Sequence, residues 1–343
     1  MKPILLPANQ PPARFYKGGA RIAKFRGGGE PQPNTPEDWV GSTTSVRGHA
    51  PVGMTRLDDG RLLADAIASE PREWLGPEHV ARYGDDCMLL VKLLDAGQRL
   101  PVHAHPDGEF AQTHVSTLHG KAEAWFILTP GTVYLSLTRD LTATELRELV
   151  DTQDISTLLS LMHEITVDAG DCVFVPHGVL HAIGEGILLA EVQEPEDLSI
   201  LLEWEGFDLD GVKDGHLDLG FELALTAVES TARSGADVEA LIRRGVQSAN
   251  VLPDEAGQFF RLDKVDAPQE FPAGFGIVIG LDASVNLTMD SGEHHTLAPG
   301  STTLLPYAAG AFSLAGPALI ARPPLPLLST RQESRAGRLS WRR

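Results

Sequence analysis

The feature that most constrains this chain is a pair of short segments that deliver histidines to strand faces. The first runs Gly97-Gln98-Arg99-Leu100-Pro101-Val102-His103-Ala104-His105. The second runs from Gly170 through five residues to Pro176, then His177-Gly178-Val179-Leu180-His181. Residues i and i+2 of a strand point to the same face, so the imidazoles of His103 and His105 can reach one point. The proline–glycine turn after Cys172-Val173-Phe174-Val175 opens a returning strand that carries His181. Between the two segments, Lys121-Ala122-Glu123-Ala124-Trp125-Phe126-Ile127 alternates, which places Lys121, Glu123, Trp125 and Ile127 on one face. A carboxylate among apolar strand residues is costly to bury unless it is paired or bound to a cation. Glu109 also follows His105, but Asp107-Gly108 before it reads as a turn, so Glu123 is favoured. His103, His105, Glu123 and His181 are the candidate metal ligands. Three imidazoles and a carboxylate suit Zn²⁺, and also Mn²⁺, Fe²⁺ or Ni²⁺.

Composition narrows the partners. The formal charge of −19 on 343 residues repels phosphate backbones and anionic membranes, so nucleic-acid and membrane partners are not expected. The 34 glycines and 24 prolines suit short strands and tight turns. Only two cysteines occur, Cys87 and Cys172, so no disulfide framework is expected. No apolar run approaches the roughly 18 residues of a membrane span, and Met1 to Pro7 lacks the apolar stretch of a signal peptide. These features suit a cytoplasmic protein. The oligomeric state cannot be read.

Along the chain, residues 1–60 read as an extended lead-in. Cys87–Leu94, Ala122–Leu128 and Thr132–Leu137 read as strands. Thr142–Met162 carries apolar residues at helical spacing, suggesting one or two inserted helices, and 216–245 carries a similar stripe. Strands resume from about Gln258 to Ala321. Asp168–Pro176 and Ala298–Pro306 share a glycine, five strand residues and a proline, a weak internal repeat. In the second copy Ala311 stands where the first has His181, and His294 and His295 fall at a turn, so that half is expected to be structural. The two histidine segments and the spacing of Glu123 between them resemble the paired motifs of the cupin superfamily. The expectation is a mainly β chain of two cupin (jelly-roll-like) barrels with inserted helices, the second degenerate. Its divisions are 1–215 (metal-binding), 216–250 (helical linker), 251–328 (C-terminal barrel) and 329–343 (basic, disordered tail).

A closer resemblance covers most of residues 1–325. Arg14-Phe15-Tyr16-Lys17-Gly18-Gly19, Glu37-Asp38-Trp39-Val40-Gly41-Ser42, His105-Pro106-Asp107, Gly120-Lys121-Ala122-Glu123-Ala124-Trp125 and Pro176 to Gly184 resemble segments of short bacterial type I mannose-6-phosphate isomerases. The resemblance implies one zinc ion on His103, His105, Glu123 and His181, with His103 replacing a glutamine. It implies that Glu191 transfers protons and that Lys121 assists. The activity implied is isomerisation of mannose 6-phosphate to fructose 6-phosphate, with a sugar or sugar phosphate as the partner. Two positions depart from the family: Leu201 stands where it has arginine, four residues after Asp197, and Pro101 where it has serine. Those departures keep three alternatives open: an isomerase of an unphosphorylated sugar, a different metal-dependent cupin enzyme, and a non-catalytic sugar-binding protein.

Overall fold

A computed structural model describes residues 1–247 and 249–325. The expected basic tail at 329–343 lies outside them. The chain is mainly β, with four antiparallel sheets arranged as two pairs. In the first pair, a six-stranded sheet runs in the order Ile242–Arg243, Cys172–Val175, Glu123–Ile127, Leu188–Gln193, Leu90–Asp95, Glu37–Val40. Its partner runs Ile200–Leu201, His103–Ala104, His181–Ile183, Gly131–Leu137, Met162–Val167. Every residue of Leu90–Asp95, Glu123–Ile127 and Leu188–Gln193 is buried, so these central strands are covered on both faces and Lys92, Glu123 and Glu191 are buried charges. One apolar cluster draws Leu93, Trp125 and Leu189 from the larger sheet and Val133, Leu135 and Ile183 from the smaller.

The insertion forms two helices, Ala143–Thr152 and Ile155–Ser160. Thr142 and Glu145 cap the first reciprocally, satisfying backbone donors that would otherwise be unpaired. Leu146, Val150 and Leu158 pack with Val102, Leu137, Leu180 and Ile200, so the insertion backs the smaller sheet and leaves its other face to the histidines. Segment 216–250 holds no long helix. Leu217 and Asp218 adopt positive φ (56° and 67°), which ends any helix there. Only Phe221–Ala224, a 3₁₀ turn at Leu225–Ala227, and Gly235–Glu239 follow. The same stretch adds Ile242–Arg243 to the first sheet pair.

In the second pair, one sheet is ordered Ile4–Leu6, Thr302–Leu305, Gly276–Gly280, Ala318–Arg322, Arg261–Val265, Ala249–Asn250. The other is ordered Gln269–Phe271, Phe312–Ala315, Val285–Met289, His294–Leu297. Val265, Val278, Leu305 and Ile320 from one meet Phe271, Leu287 and Leu314 from the other. The N-terminal strand therefore pairs with the C-terminal sheets, through Leu5 opposite Thr303. The internal repeat is structural: Gly170 and Gly300 both turn at positive φ (94° and 71°) before Cys172–Val175 and Thr302–Leu305. His294 lies on a strand of the outer sheet rather than on a turn, and is exposed. No helix among the described residues is long and apolar enough to cross a membrane. Three helices that the sequence pattern did not announce, Leu63–Ser69, Pro71–Leu75 and Pro77–Tyr83, pack Leu63, Ile67, Trp74 and Leu75 into the main core.

Candidate metal centre and pocket

Strand register assembles the cluster. His103 lies opposite His181 in the smaller sheet, and Leu135 lies on the other side of His181. Beside this pairing the Gly131–Leu137 strand is bulged, with Ser136 at φ 58° and its N–H donating to the Leu180 carbonyl at 2.7 Å. Bulges re-aim neighbouring side chains, and here one adjoins the His181 strand. The second motif is tied to the first where the Gly178 N–H donates to the His105 carbonyl at 2.7 Å. Candidate donor atoms of His103, His105 and His181 all lie within 4.8 Å of one another, and all three residues are buried. Glu109 is exposed on the Gly108–Phe110 turn, away from the cluster.

The imidazole nitrogens are already sorted. The Nδ1 atoms of His103, His105 and His181 meet the carbonyls of Pro101 (2.8 Å), Leu198 (2.6 Å) and Val179 (2.8 Å). A carbonyl only accepts, so each Nδ1 carries the proton and each Nε2 lone pair is left to the centre. Burial, reinforced by the imidazoles of His181 and His105, holds His103 well below its ordinary pKa. Burial and the Lys121 ammonium hold His105 at about 3. Both rings are therefore neutral. Glu123 from the opposite sheet puts Oε2 3.1 Å from His105 Nε2 and Oε1 3.4 Å from His181 Nε2. Burial alone would raise the Glu123 pKa, but Lys121 and His105 outweigh it and hold the carboxyl well below its usual range. The Glu123 carboxylate thus faces imidazole lone pairs; the Lys121 ammonium meets its Oε2 at 3.0 Å, and His181 Nε2 has no hydrogen-bond partner among the described residues. Acceptors crowded this closely in a dry interior call for a cation between them. A nitrogen-rich set with one carboxylate fits a divalent transition metal such as zinc.

Lys121 Nζ lies 3.0 Å from Glu123 Oε2 and 3.1 Å from His105 Nε2, and 3.8 Å from Glu191 Oε1. Burial opposes its charge, but the Glu123 and Glu191 carboxylates raise its pKa, so it stays an ammonium. Glu191 sits opposite Lys92 on one side and Trp125 on the other. Burial and the negative Glu123 push its carboxyl up to about 7. Its Oε1 has no hydrogen-bond partner among the described residues.

Arg14, Tyr16, Glu37 and Lys92 are not marked as site residues by any local spacing pattern. All four line the same pocket as Lys121, Glu123, Glu191 and His103. Lys92 Nζ stands 3.9 Å from both Glu37 Oε2 and Glu191 Oε1, and 4.7 Å from the centre of the Trp39 ring. The signal for Lys92 was a lone lysine inside the apolar run Leu89-Leu90-Val91-Lys92-Leu93-Leu94. Burial opposes ionisation of Glu37, yet Arg14 and Lys92 hold its pKa down at about 2. The pocket has about 50 Å³ of free space and shares Asp197 as a lining residue with a wider cleft of about 660 Å³ lined also by Thr43, Arg47, Asp86 and His119.

The site is an acid–base pocket beside a metal-ready cluster on paired antiparallel sheets, and comparison with known proteins places that arrangement. No protein-family model matches the chain. It is 32% identical over 185 residues to a mannose-6-phosphate isomerase of Streptococcus mutans, covering 52% of this chain and 54% of that protein. It is 31% identical over 148 residues to the mannose-6-phosphate isomerase ManA of Bacillus subtilis, covering 41% and 45%. The matches thus span about half the length of these relatives. Among solved structures, a mannose 6-phosphate isomerase from Bacillus subtilis aligns with TM-score 0.69 at 23% identity, over 94% of this chain and 99% of that one. A mutant phosphomannose isomerase from Salmonella typhimurium aligns with TM-score 0.73 at 15% identity, over 95% and 100%. A mannose 6-phosphate isomerase bound with zinc and yttrium aligns with TM-score 0.69 at 16% identity, over 94% and 99%. The chain therefore resembles type I mannose-6-phosphate isomerases in sequence over about half its length, and shares their fold over nearly all of it.

Proposed function

We propose that this protein is a metal-dependent aldose–ketose isomerase that interconverts mannose 6-phosphate and fructose 6-phosphate in the cytoplasm. The observation that carries the reading is a buried carboxyl, Glu191, with a pKa near neutrality and an unpartnered oxygen, in one pocket with Glu123 and His103 of the N₃O donor set. His103, His105, Glu123 and His181 would hold one Zn²⁺, with Mn²⁺ or Fe²⁺ as substitutes. When bound, the ion supplies Lewis-acid polarisation of the sugar's carbonyl and hydroxyl oxygens. Glu191, buried in the pocket with one oxygen unpartnered, moves the proton between the two adjacent carbons. Lys121 stays charged and offsets negative charge that develops on the sugar oxygens. Ligand pockets run to roughly 300–1,000 Å³, so the sugar's far end extends from the small inner space toward the cleft at Asp197. We also read each sheet pair as a cupin barrel, with the divisions 1–215, 216–250 and 251–328, and the second barrel without chemistry.

The test is direct. Zinc-loaded protein is mixed with mannose 6-phosphate and assayed for fructose 6-phosphate, with free mannose in parallel. Conversion of the phosphate ester supports the reading. Conversion of mannose alone moves the substrate to an unphosphorylated sugar, and conversion of neither overturns the isomerase assignment.

A further inference from the structure

Arg14 lines the same pocket as His103 and Glu191. It arrives from the lead-in, where Ala13 turns at φ 52° and the Arg14 N–H donates to the Asn34 carbonyl at 2.9 Å. Its side chain is only 13% exposed. Among the described residues it is the one guanidinium lining this pocket. Its engagement is loose: Nη2 lies 3.4 Å from Glu37 Oε1 and 3.7 Å from Asp197 Oδ1, and the buried Nε has no hydrogen-bond partner. A guanidinium carries five N–H donors, and a buried donor without an acceptor is costly. Part of the lining offers no side-chain acceptor. Leu201 sits beside His103 in strand register, and Leu100, Pro101 and Ile183 line the same space. Arg14 therefore brings a loosely engaged guanidinium to the wall of the volume a substrate would fill.

We propose that Arg14 is a specificity-determining residue that touches the substrate, donating from the less engaged end of its guanidinium to a sugar hydroxyl oxygen. Only the identity of the ligand as a hexose derivative rests on the isomerase reading. The acceptor is a hydroxyl rather than a phosphate because Glu37 and Asp197 already flank the guanidinium. Two carboxylates offset its charge and would repel a phosphate dianion placed between them. The guanidinium also supplies, from another part of the chain, a donor that the strand bearing Leu201 does not.

The experiment is calorimetric titration of zinc-loaded wild type, Arg14→Ala and Arg14→Lys with two probes that cannot isomerise, mannitol and its 6-phosphate. Arg14→Lys keeps the charge that Glu37 and Asp197 face, so it preserves the fold if the alanine variant does not. It lacks Nε. The expected result is that both variants bind both probes roughly tenfold to a hundredfold more weakly, with zinc content unchanged and the Arg14→Lys melting temperature held. A purely structural arginine would not separate affinity from melting temperature in this way. Wild-type affinity in Arg14→Lys, a loss confined to the phosphate ester, or no binding of either probe to wild type would each overturn the proposal. Turnover of mannose 6-phosphate by wild type is scored separately, so failure of the isomerase reading is distinguishable from failure of this one.

Discussion

Glu191→Gln in the metal-stripped protein separates the cost of an active carboxyl from its use. Glu191 is 3% exposed and has one oxygen without a hydrogen bond. Its pKa rises from 4.5 to about 7, mainly through burial and then through Glu123. At about 1.4 kcal/mol per pK unit, ionising it in the folded state costs roughly 3 kcal/mol relative to ionising it in the unfolded chain. The sign follows from proton counting. Between pH 4.5 and about 7 the folded state holds more protons here than the unfolded state, so stability falls as pH rises through that window, and the full penalty applies above it. Glutamine has the shape of the protonated acid and does not titrate. Urea unfolding of chelator-treated wild type and Glu191→Gln at about pH 5 and about pH 8 reads the difference. The variant should be roughly 2–3 kcal/mol more stable at the higher pH and close to wild type at the lower. A gap that does not change with pH would refute the reasoning, because other titrating groups cancel between the two proteins. The same substitution, with zinc restored and bound, should lower turnover on the order of 10²–10⁴-fold.

Zinc at about 100 times its dissociation constant should stabilise wild type by roughly 2.7 kcal/mol; His181→Ala should abolish that increment, and an unchanged zinc-dependent melting shift would remove His181 from the ligand set. Trp125→Phe deletes the indole N–H that donates to Glu123 Oε1 at 2.9 Å, so zinc affinity by competition with a chelator should fall roughly 10–100-fold, whereas equal affinity would mean that packing alone orients the carboxylate. Gly97→Ala would set a Cβ 2.7 Å from the Gly18 backbone and the Lys17 carbonyl oxygen; a destabilisation of about 1–3 kcal/mol is expected in urea, and an unmoved midpoint would show that the two backbones separate freely.

How far the site was legible depends on the range of each interaction. The His103/His105 spacing, the Pro176-His177-Gly178 turn and the placement of Glu123 are local, set by a period of two and by turn chemistry. Those residues meet as the alternation predicts. Lys92 and Glu37 enter the pocket through sheet register, with Lys92 opposite Glu191 on one neighbour and opposite Trp39 on the other. No short-range pattern encodes which strands pair. Arg14 arrives through a lead-in with no periodicity at all. The helical stripe of 216–245 forms only short pieces for the opposite reason: the backbone turns extended at Val228, and a separate helix starts at the Ser234 cap. Apolar spacing states which residues seek the core; it does not state that the backbone between them stays helical.

The repeated devices of this chain separate what shapes the fold from what equips the site. Glu37-Asp38-Trp39 and Glu123-Ala124-Trp125 are both Glu-x-Trp on a strand, and in each the indole N–H donates to the carboxylate two residues earlier, at 2.7 and 2.9 Å. One such carboxylate faces Arg14 and Lys92, the other Lys121 and the histidines. Period two makes the pair, because i and i+2 share a face, and tryptophan fixes the carboxylate while covering it from water. The Gly-five-Pro units repeat in the same way, yet only the first is followed by His181, while the second leads to Ala311. Backbone pattern is therefore shared between the halves, and the imidazole and carboxylate cluster sits in the first of them. Exchanging residues at those positions would change what the protein does without asking the sheets to pair differently.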